Sequence, residues 1–284
     1  MWWQEGAGVP GVIEKSEEQF FRDKGMGFVE LRRSRSSARF FRPHMHRSFS
    51  VGCVDSGAVR FIIGDQGGVL RPGGLVLVNP EMLHACNSLN RTRRSYSMLY
   101  LDVKWCLQVQ QALRPVEGFV PVQRSHLVDR KLYRRFQSLV RILIAAKNPR
   151  SEKEQVLVAF FSELFRTLCS LDIEYGAGTD EKVVRMKELL ASNLADDLTL
   201  ESLAGRLDCN PYTLLRRFRA QTGITPHAYR MNCRVEQARK FLQQGMDIGE
   251  TALQCGFFDQ SHFHRFFKGM TTVTPREYKL NFIQ

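Results

Sequence analysis

The sequence predicts a two-domain α+β protein. A small N-terminal β-barrel of jelly-roll type carries a helical hairpin, and an all-α domain follows with two helix-turn-helix units joined by a long helix. Three observations predict it. Short β runs punctuated by glycine fill the region from about Phe40 to Leu101. Two stretches of helical periodicity come next, divided by Asn148, Pro149 and Arg150. A helix-turn-helix pattern near the C-terminus then repeats one that lies 49 residues upstream.

The chain has 284 residues, which suits two domains at about 100–200 residues each. Apolar residues make up 43% and charged residues 25%, enough to bury a core and typical of a globular chain. No run approaches the apolar length of a membrane-spanning helix. The first residues, Met1 to Glu5, lack the basic and apolar regions of a secretory signal. The seven cysteines stand singly at 53, 86, 106, 169, 209, 233 and 255. Such spacing fits reduced thiols in a cytoplasmic protein and makes neither a disulfide frame nor a zinc site. The net charge of +12 favours a polyanionic partner. From Lys182 onward the balance is +5, so charge supports nucleic-acid binding without locating it.

The barrel is read over about 38–122. Phe49–Val54 and Val59–Ile63 flank a turn at Asp55–Gly57, and Leu75–Val78 follows a turn at Arg71–Gly74 and ends before Pro80. Tyr96–Leu101 is a further strand. Short strands with turn signals every 8–12 residues indicate a jelly roll or sandwich. His44 and His46 precede the first of these strands, and His84 follows the Leu75 strand. With the Gly74-x5-Pro80 spacing, this pattern resembles the cupin barrel. In metal-binding cupins a Glu lies four residues past the second His, and here that position is Ser50. Three neutral imidazoles could hold iron, zinc or copper. The missing carboxylate favours a small-molecule effector pocket at His44, His46 and His84, because small β-barrels commonly hold one ligand in their mouths. No metal or other cofactor is assigned. No Ser-His-Asp order, phosphate loop or carboxylate pair suggests catalysis.

From Leu127 to Lys147, Val128, Leu132, Phe136, Leu139 and Leu143 recur at helical spacing. A second helix is expected with Ser151 as its N-cap and Glu154 completing a capping box. It carries Val156, Phe160, Leu164 and Leu168. This hairpin either closes the barrel's open end or presents its stripe to a second subunit, making a homodimer. The glycine-rich stretch from Leu171 to Asp180 reads as a linker. The domains are therefore expected at 1–171 and 182–284, with a linker at 172–181.

The C-terminal domain holds the two helix-turn-helix units, 199–222 and 247–271. In the second, Asp247 and Glu250 have capping-box spacing. Ile248, Ala252 and Cys255 form an apolar face, and Gly256 can supply the left-handed turn. Asp259 caps the next helix, which buries Phe263, Phe266 or Phe267, and Met270. Its other side is Gln260, Ser261, His264, Arg265 and Lys268. In the first unit Thr199 caps one helix and Asn210 the next, with Pro211 at its first position. A shift of 49 places Asn210 on Asp259, Leu214 on Phe263, Arg216 on Arg265 and Phe218 on Phe267. Before the turn the shift is 48, so the second unit has one extra turn residue. A helix from about Pro226 to Gln243 joins them, with Met231, Val235, Ala238 and Leu242 inward. A rigid connector suits two helices that enter successive major-groove faces, roughly 34 Å apart.

These residues resemble the AraC/XylS family of transcription regulators. The resemblance is carried by Arg239 and its spacing to Ile248, by Ala252–Phe257, by Asp259–Lys268 and by Val273, Thr274 and Pro275. It covers about Val183 to Tyr278, and the N-terminal barrel looks like that family's cupin-type effector domain. Thr272 stands where the family usually has Gly, and Thr251 where it usually has an aliphatic residue; the first bears on how the last recognition helix ends. The resemblance implies a cytoplasmic, sequence-specific regulator, an activator, with promoter DNA, RNA polymerase and a small-molecule effector as partners. It places Tyr212, Leu215 and Arg216, and then Gln260, Ser261, His264 and Arg265, on DNA. The chemistry suits them: Arg pairs with guanine, Gln with adenine, and apolar groups meet thymine methyls. Arg219 and Lys268, one turn on, suit phosphates. Two other readings stay open: a metal-dependent cupin enzyme with an appended helical domain, and an architectural DNA binder.

Overall fold

The structure is a computed structural model that describes residues 17–169 and 180–283; the expected linker lies almost wholly outside them. The strands are β1 (Glu17–Phe21), β2 (Val29–Ser37), β3 (Phe49–Ser56), β4 (Val59–Ile63), β5 (Gln66–Leu70), β6 (Gly74–Val78), β7 (His84–Ser88), β8 (Arg94–Leu101), β9 (His126–Val128) and β10 (Phe282–Ile283). They form a seven-stranded sheet, β10-β1-β2-β8-β3-β6-β9, and a three-stranded sheet, β5-β4-β7. The two stack as a sandwich and do not close into the single barrel expected. The chain changes sheet at β3–β4, β5–β6, β6–β7 and β7–β8, and β9 and β10 edge the large sheet while β5 and β7 edge the small one. A bulge between Val54 and Ser56 bends the end of β3 at the first of these crossings.

The period-2 alternation of the large sheet divides its two faces. Leu31, Phe49, Val51, Leu75, Leu77, Leu99 and Leu101 point to one side and meet a helical layer. That layer is α1 (Val103–Gln111), α2 (Arg130–Ile144) and α3 (Arg150–Leu168). Phe136, Leu139, Leu143, Phe160, Phe161 and Leu164 are all buried there. At about 25 cal/mol per Å2, each such side chain stabilises the layer by roughly 1.5–3 kcal/mol. The hairpin thus spends its apolar stripe on its own sheet. The opposite face carries Glu30, Arg32, Ser34, Ser50, Arg94 and Tyr96, all buried.

Several local expectations shift. β1 and β2 precede the region read as strands. Leu127 pairs with Leu75 in a strand, and α2 starts later, capped by Asp129, which accepts from Lys131 N and Leu132 N. Ser151 does not cap α3. Pro149 is its N-cap with φ −66 and ψ 154, so the helix starts at Arg150 and Glu154 pairs with that residue at 2.7 Å.

The C-terminal half comprises α4 (Glu181–Ala191), α5 (Leu200–Arg206), α6 (Pro211–Thr222), α7 (Pro226–Gln243), α8 (Ile248–Gln254), α9 (Gln260–Thr271) and α10 (Pro275–Leu280). Thr199, Asn210, Asp247 and Asp259 each accept backbone N–H bonds at the expected helix starts. The reciprocal capping box occurs at Thr274 and Glu277, whereas at Asp247 only the forward half forms. Gly256 has φ +75, and a Cβ there would lie 2.2 Å from Leu194 O, so the turn admits only glycine. Two cores flank α7. One gathers Val183, Met186, Leu203, Leu214, Phe218 and Tyr229. The other gathers Met231, Val235, Ala238, Leu242, Phe263, Phe267 and Tyr278. Each admits one N-terminal residue, Met45 in the first and Phe20 in the second.

Candidate DNA interface and ligand cavities

The two units place their polar helices as equivalents. On α6, Tyr212 is 81% exposed, Arg216 and Arg219 are exposed and Leu215 is half-buried. On α9, Gln260, Ser261, His264, Arg265 and Lys268 are all exposed, while Phe263 and Phe267 anchor the opposite side. Both faces are available because each helix buries residues i and i+4 and turns the rest outward. Among the described residues Arg216, Arg219, Arg265 and Lys268 make no ion pair, leaving four cations for an external anion, whereas Arg217 is held by Asp180 at 3.2 Å. His262 is no partner of His264. Its ring packs edge-on against Phe257 and Phe266, and its Nδ1 accepts from Phe258 N.

The three histidines read as an effector set do come together. Backbone bonds exchanged by His44 and His84 join the loop to β7. Ring centroids are 4.4 Å apart for His44 and His84 and 4.7 Å for His46 and His84. Each Nδ1 contacts a carbonyl oxygen: Arg42 O at 2.8 Å, Ser48 O at 3.0 Å and Met82 O at 2.9 Å. A carbonyl only accepts, so each Nδ1 carries the proton and each Nε2 a lone pair. Burial pushes the His84 pKa down to about 4, and burial with His84 nearby pushes His44 to about 3. His46 is also held well below the usual range, by burial and then by His84. Ser50, in the place of the cupin carboxylate, sits 3.4 Å from His46 Nε2 and can donate to it. Among the described residues no group of three or more His, Cys, Asp or Glu has an arrangement that could hold a metal ion.

Two cavities meet at this wall. The inner one, about 50 Å3, lies within the sandwich. Val54, Val59, Leu70, Val76 and Met98 supply apolar lining, and Arg94 and Tyr96 supply polar groups. The outer one, about 40 Å3, lies where the two halves of the chain meet, among Arg32, His46, Asn232, Glu236 and Arg239. Phe41, His44 and Tyr100 line both.

Charged groups tie the halves together around the outer cavity. Glu30 accepts from Tyr278 Oη at 2.7 Å and pairs with Arg239. Arg239 also lies 5.0 Å above the Tyr100 ring. Arg32 pairs with Glu18 at 3.0 Å and donates to Thr271 O at 2.7 Å and to Thr272 Oγ1 at 2.8 Å. Glu81 receives Lys187 at 2.9 Å and the Tyr229 hydroxyl at 2.7 Å. Backbone pairing of β10 with β1 adds a further tie. Sequence reasoning found Arg239 only as a marker of family resemblance and missed Arg32, Arg94 and Tyr96. Both of their strands, β2 and β8, are polar over much of their length, VELRRSRSS and RSYSMLYL, so alternation alone did not mark these residues as buried.

Comparison with known proteins gives a consistent result. Residues 203–281 match the family described as a helix-turn-helix domain, and residues 28–165 match the AraC-like ligand binding domain. Among curated relatives, the HTH-type transcriptional regulator YbfI of Bacillus subtilis is 28% identical over 239 residues, covering 82% of this chain and 85% of its own. The HTH-type transcriptional activator RhaS of Mannheimia succiniciproducens is 25% identical over 256 residues, covering 87% and 92%. Among solved structures, unsaturated fatty acid-bound ToxT of Vibrio cholerae shares the fold with a TM-score of 0.62 at 16% identity, covering 94% of this chain and 97% of its own.

Proposed function

The chain belongs to the AraC family of transcription regulators, and from that premise we propose that it reads promoter DNA through two assigned faces. These are Tyr212, Leu215, Arg216 and Arg219 on α6, and Gln260, Ser261, His264, Arg265 and Lys268 on α9. It is a transcription regulator with an effector-binding domain and a helix-turn-helix domain. The observation that carries the assignment is the repetition itself. Two helices with equivalent caps and equivalent outward faces flank one continuous connector, α7, of 18 residues, about 27 Å long at 1.5 Å per residue. The proposal extends to an activating role through RNA polymerase, a homodimer in the cytoplasm, domain limits near 171 and 182, and no catalytic step. Ser50 in the carboxylate position supports an effector pocket at His44, His46 and His84 over a metal-dependent enzyme. ToxT carries an unsaturated fatty acid on a related fold, which supports a small molecule as the cue.

The test begins with binding sites selected from random duplex DNA. Arg265→Ala should weaken the selected site by about 1–3 kcal/mol, the worth of one bidentate base contact, and weaken scrambled DNA far less. Equal losses on both would reduce Arg265 to a phosphate contact. Affinity for the parent chain should also fall steeply between low and moderate salt, because phosphate neutralisation releases counterions.

A further inference from the structure

Arg94 is a guanidinium buried to 1% exposure on the inner face of the sandwich. One of its terminal nitrogens donates to Arg39 O at 3.1 Å and, more weakly, to Cys86 O at 3.4 Å. The other, Nη1, has no hydrogen-bond partner among the described residues, and neither has the Tyr96 hydroxyl two residues along β8. The two side chains are neighbours, with the Arg94 guanidinium 5.4 Å from the Tyr96 ring centre. Both line the inner cavity. Two unsatisfied buried donors on one wall are unusual in a folded chain, because each costs about 1–3 kcal/mol.

The charge is unbalanced as well. Glu18 is the carboxylate whose charge acts on Arg94, and it is taken: Arg32 at 3.0 Å, Arg39 at 3.6 Å and the Ser34 hydroxyl at 2.8 Å share its two oxygens. Among the described residues no carboxylate lies within ion-pair distance of Arg94. The three nearby histidines are neutral and bring no competing cation. A buried cation without a counter-ion carries a desolvation cost of several kcal/mol. A bound carboxylate would turn that cost into a short, charge-assisted pair.

We propose that the inner cavity binds a small monocarboxylate, its oxygens on Arg94 Nη1 and the Tyr96 hydroxyl and its short apolar body against Val59, Val76 and Met98. This rests on the effector reading above and gives that effector a chemical class. One guanidinium matches one negative charge, which selects a carboxylate over a phosphate. The cavity of about 50 Å3 has room for roughly three to five water-sized groups at 10–15 Å3 each, so the acid is short. An occupant also presses on Phe41, His44 and Tyr100, whose other sides line the domain boundary beside Arg239.

The experiment is thermal unfolding of the full chain with millimolar propanoate or butanoate, against sodium chloride at equal ionic strength. Propanamide, butanamide and inorganic phosphate serve as comparisons. The acids should raise the unfolding midpoint by about 2 °C or more, and the amides and phosphate should not. Tyr96→Phe keeps the ring and removes only an unpartnered hydroxyl, so it should fold like the parent and bind the acid several-fold more weakly. Arg94→Gln should abolish the response; should it not fold, Tyr96→Phe alone decides. An equal response to acid and amide, a larger one to phosphate, or an unchanged one in Tyr96→Phe overturns the assignment. Selected-site DNA binding by the ligand-free parent is scored in parallel. If it is intact while the acids do nothing, only this inference fails, whereas its absence removes the regulator reading itself.

Discussion

At the scale of single residues, Thr272 shows how the two halves share one strained position. It is the C-cap of α9 and has φ +64; its counterpart in the first unit is Gly223, at φ +76. A β-branched residue in the left-handed region costs about 1–2 kcal/mol. Here Arg32 holds its hydroxyl at 2.8 Å, and Arg39 holds its carbonyl. Thr272→Val keeps the strain and strips Arg32 of an acceptor, so it should cost about 1–3 kcal/mol. Thr272→Gly loses the acceptor and the strain together, and the two nearly cancel. Urea denaturation of both variants decides; equal costs would mean that the hydroxyl does not hold the cap. The histidines give a second residue-scale prediction. His84 is buried and neutral with its pKa pushed down to about 4, so between pH 6.5 and about 4 the unfolded chain binds more protons than the folded one. Stability is therefore full above pH 6.5 and falls on acidification, by about 2 kcal/mol at pH 5 for His84, and His46, also held below the usual range by burial, acts in the same direction. His84→Asn should flatten the dependence of the denaturation midpoint on pH. A slope as steep as the parent's would assign the loss to other groups. The outward side chains of α6 and α9 were legible in the sequence because helical spacing separates inward from outward positions. Arg94 and Tyr96 were not, because their burial depends on the second sheet that covers β8.

At the scale of elements, what could be read was whatever local chemistry dictates. The α7 connector, both helix-turn-helix units and their caps fall where caps, prolines and periodicity put them. Such caps have measurable worth. Asp259 accepts from His262 N, so Asp259→Ala should destabilise α9 by about 1 kcal/mol. It should also raise hydrogen exchange in the first turn, where Gln260 and Ser261 lie; unchanged exchange there would show that tertiary packing alone holds the helix. Elements set by long-range partners were harder to see. β2, Val29–Ser37, reads as a polar run because Glu30, Arg32 and Ser34 face inward toward partners distant in sequence. The hairpin was visible, but its destination was not: periodicity shows that a stripe exists, and only the sheet shows what covers it.

At the scale of the whole molecule, the boundary between the halves is polar, and that makes it adjustable. Glu30 takes Arg239, Gln243 and the Tyr278 hydroxyl, all from the C-terminal half. Removing one member of a buried, hydrogen-bonded ion pair costs about 3–5 kcal/mol, since the other charge stays buried without compensation. Within a domain that loss would appear as unfolding, but between two domains with cores of their own it can be relieved by parting. Glu30→Ala should therefore leave the helical content intact and loosen the boundary, seen as a larger radius of gyration in solution scattering. Because Arg32 and Arg39 bond the end of α9, loosening should also change affinity for a selected DNA site, with none of the proposed DNA contacts altered. An effector can use this boundary only by favouring one arrangement over the other. The inner cavity offers a means under the carboxylate proposal, since Tyr100 lines it and also carries the Arg239 guanidinium 5.0 Å from its ring centre. If Glu30→Ala keeps the parent's dimensions and DNA affinity, the boundary is rigid and the effector must act elsewhere, through the pairing of two chains.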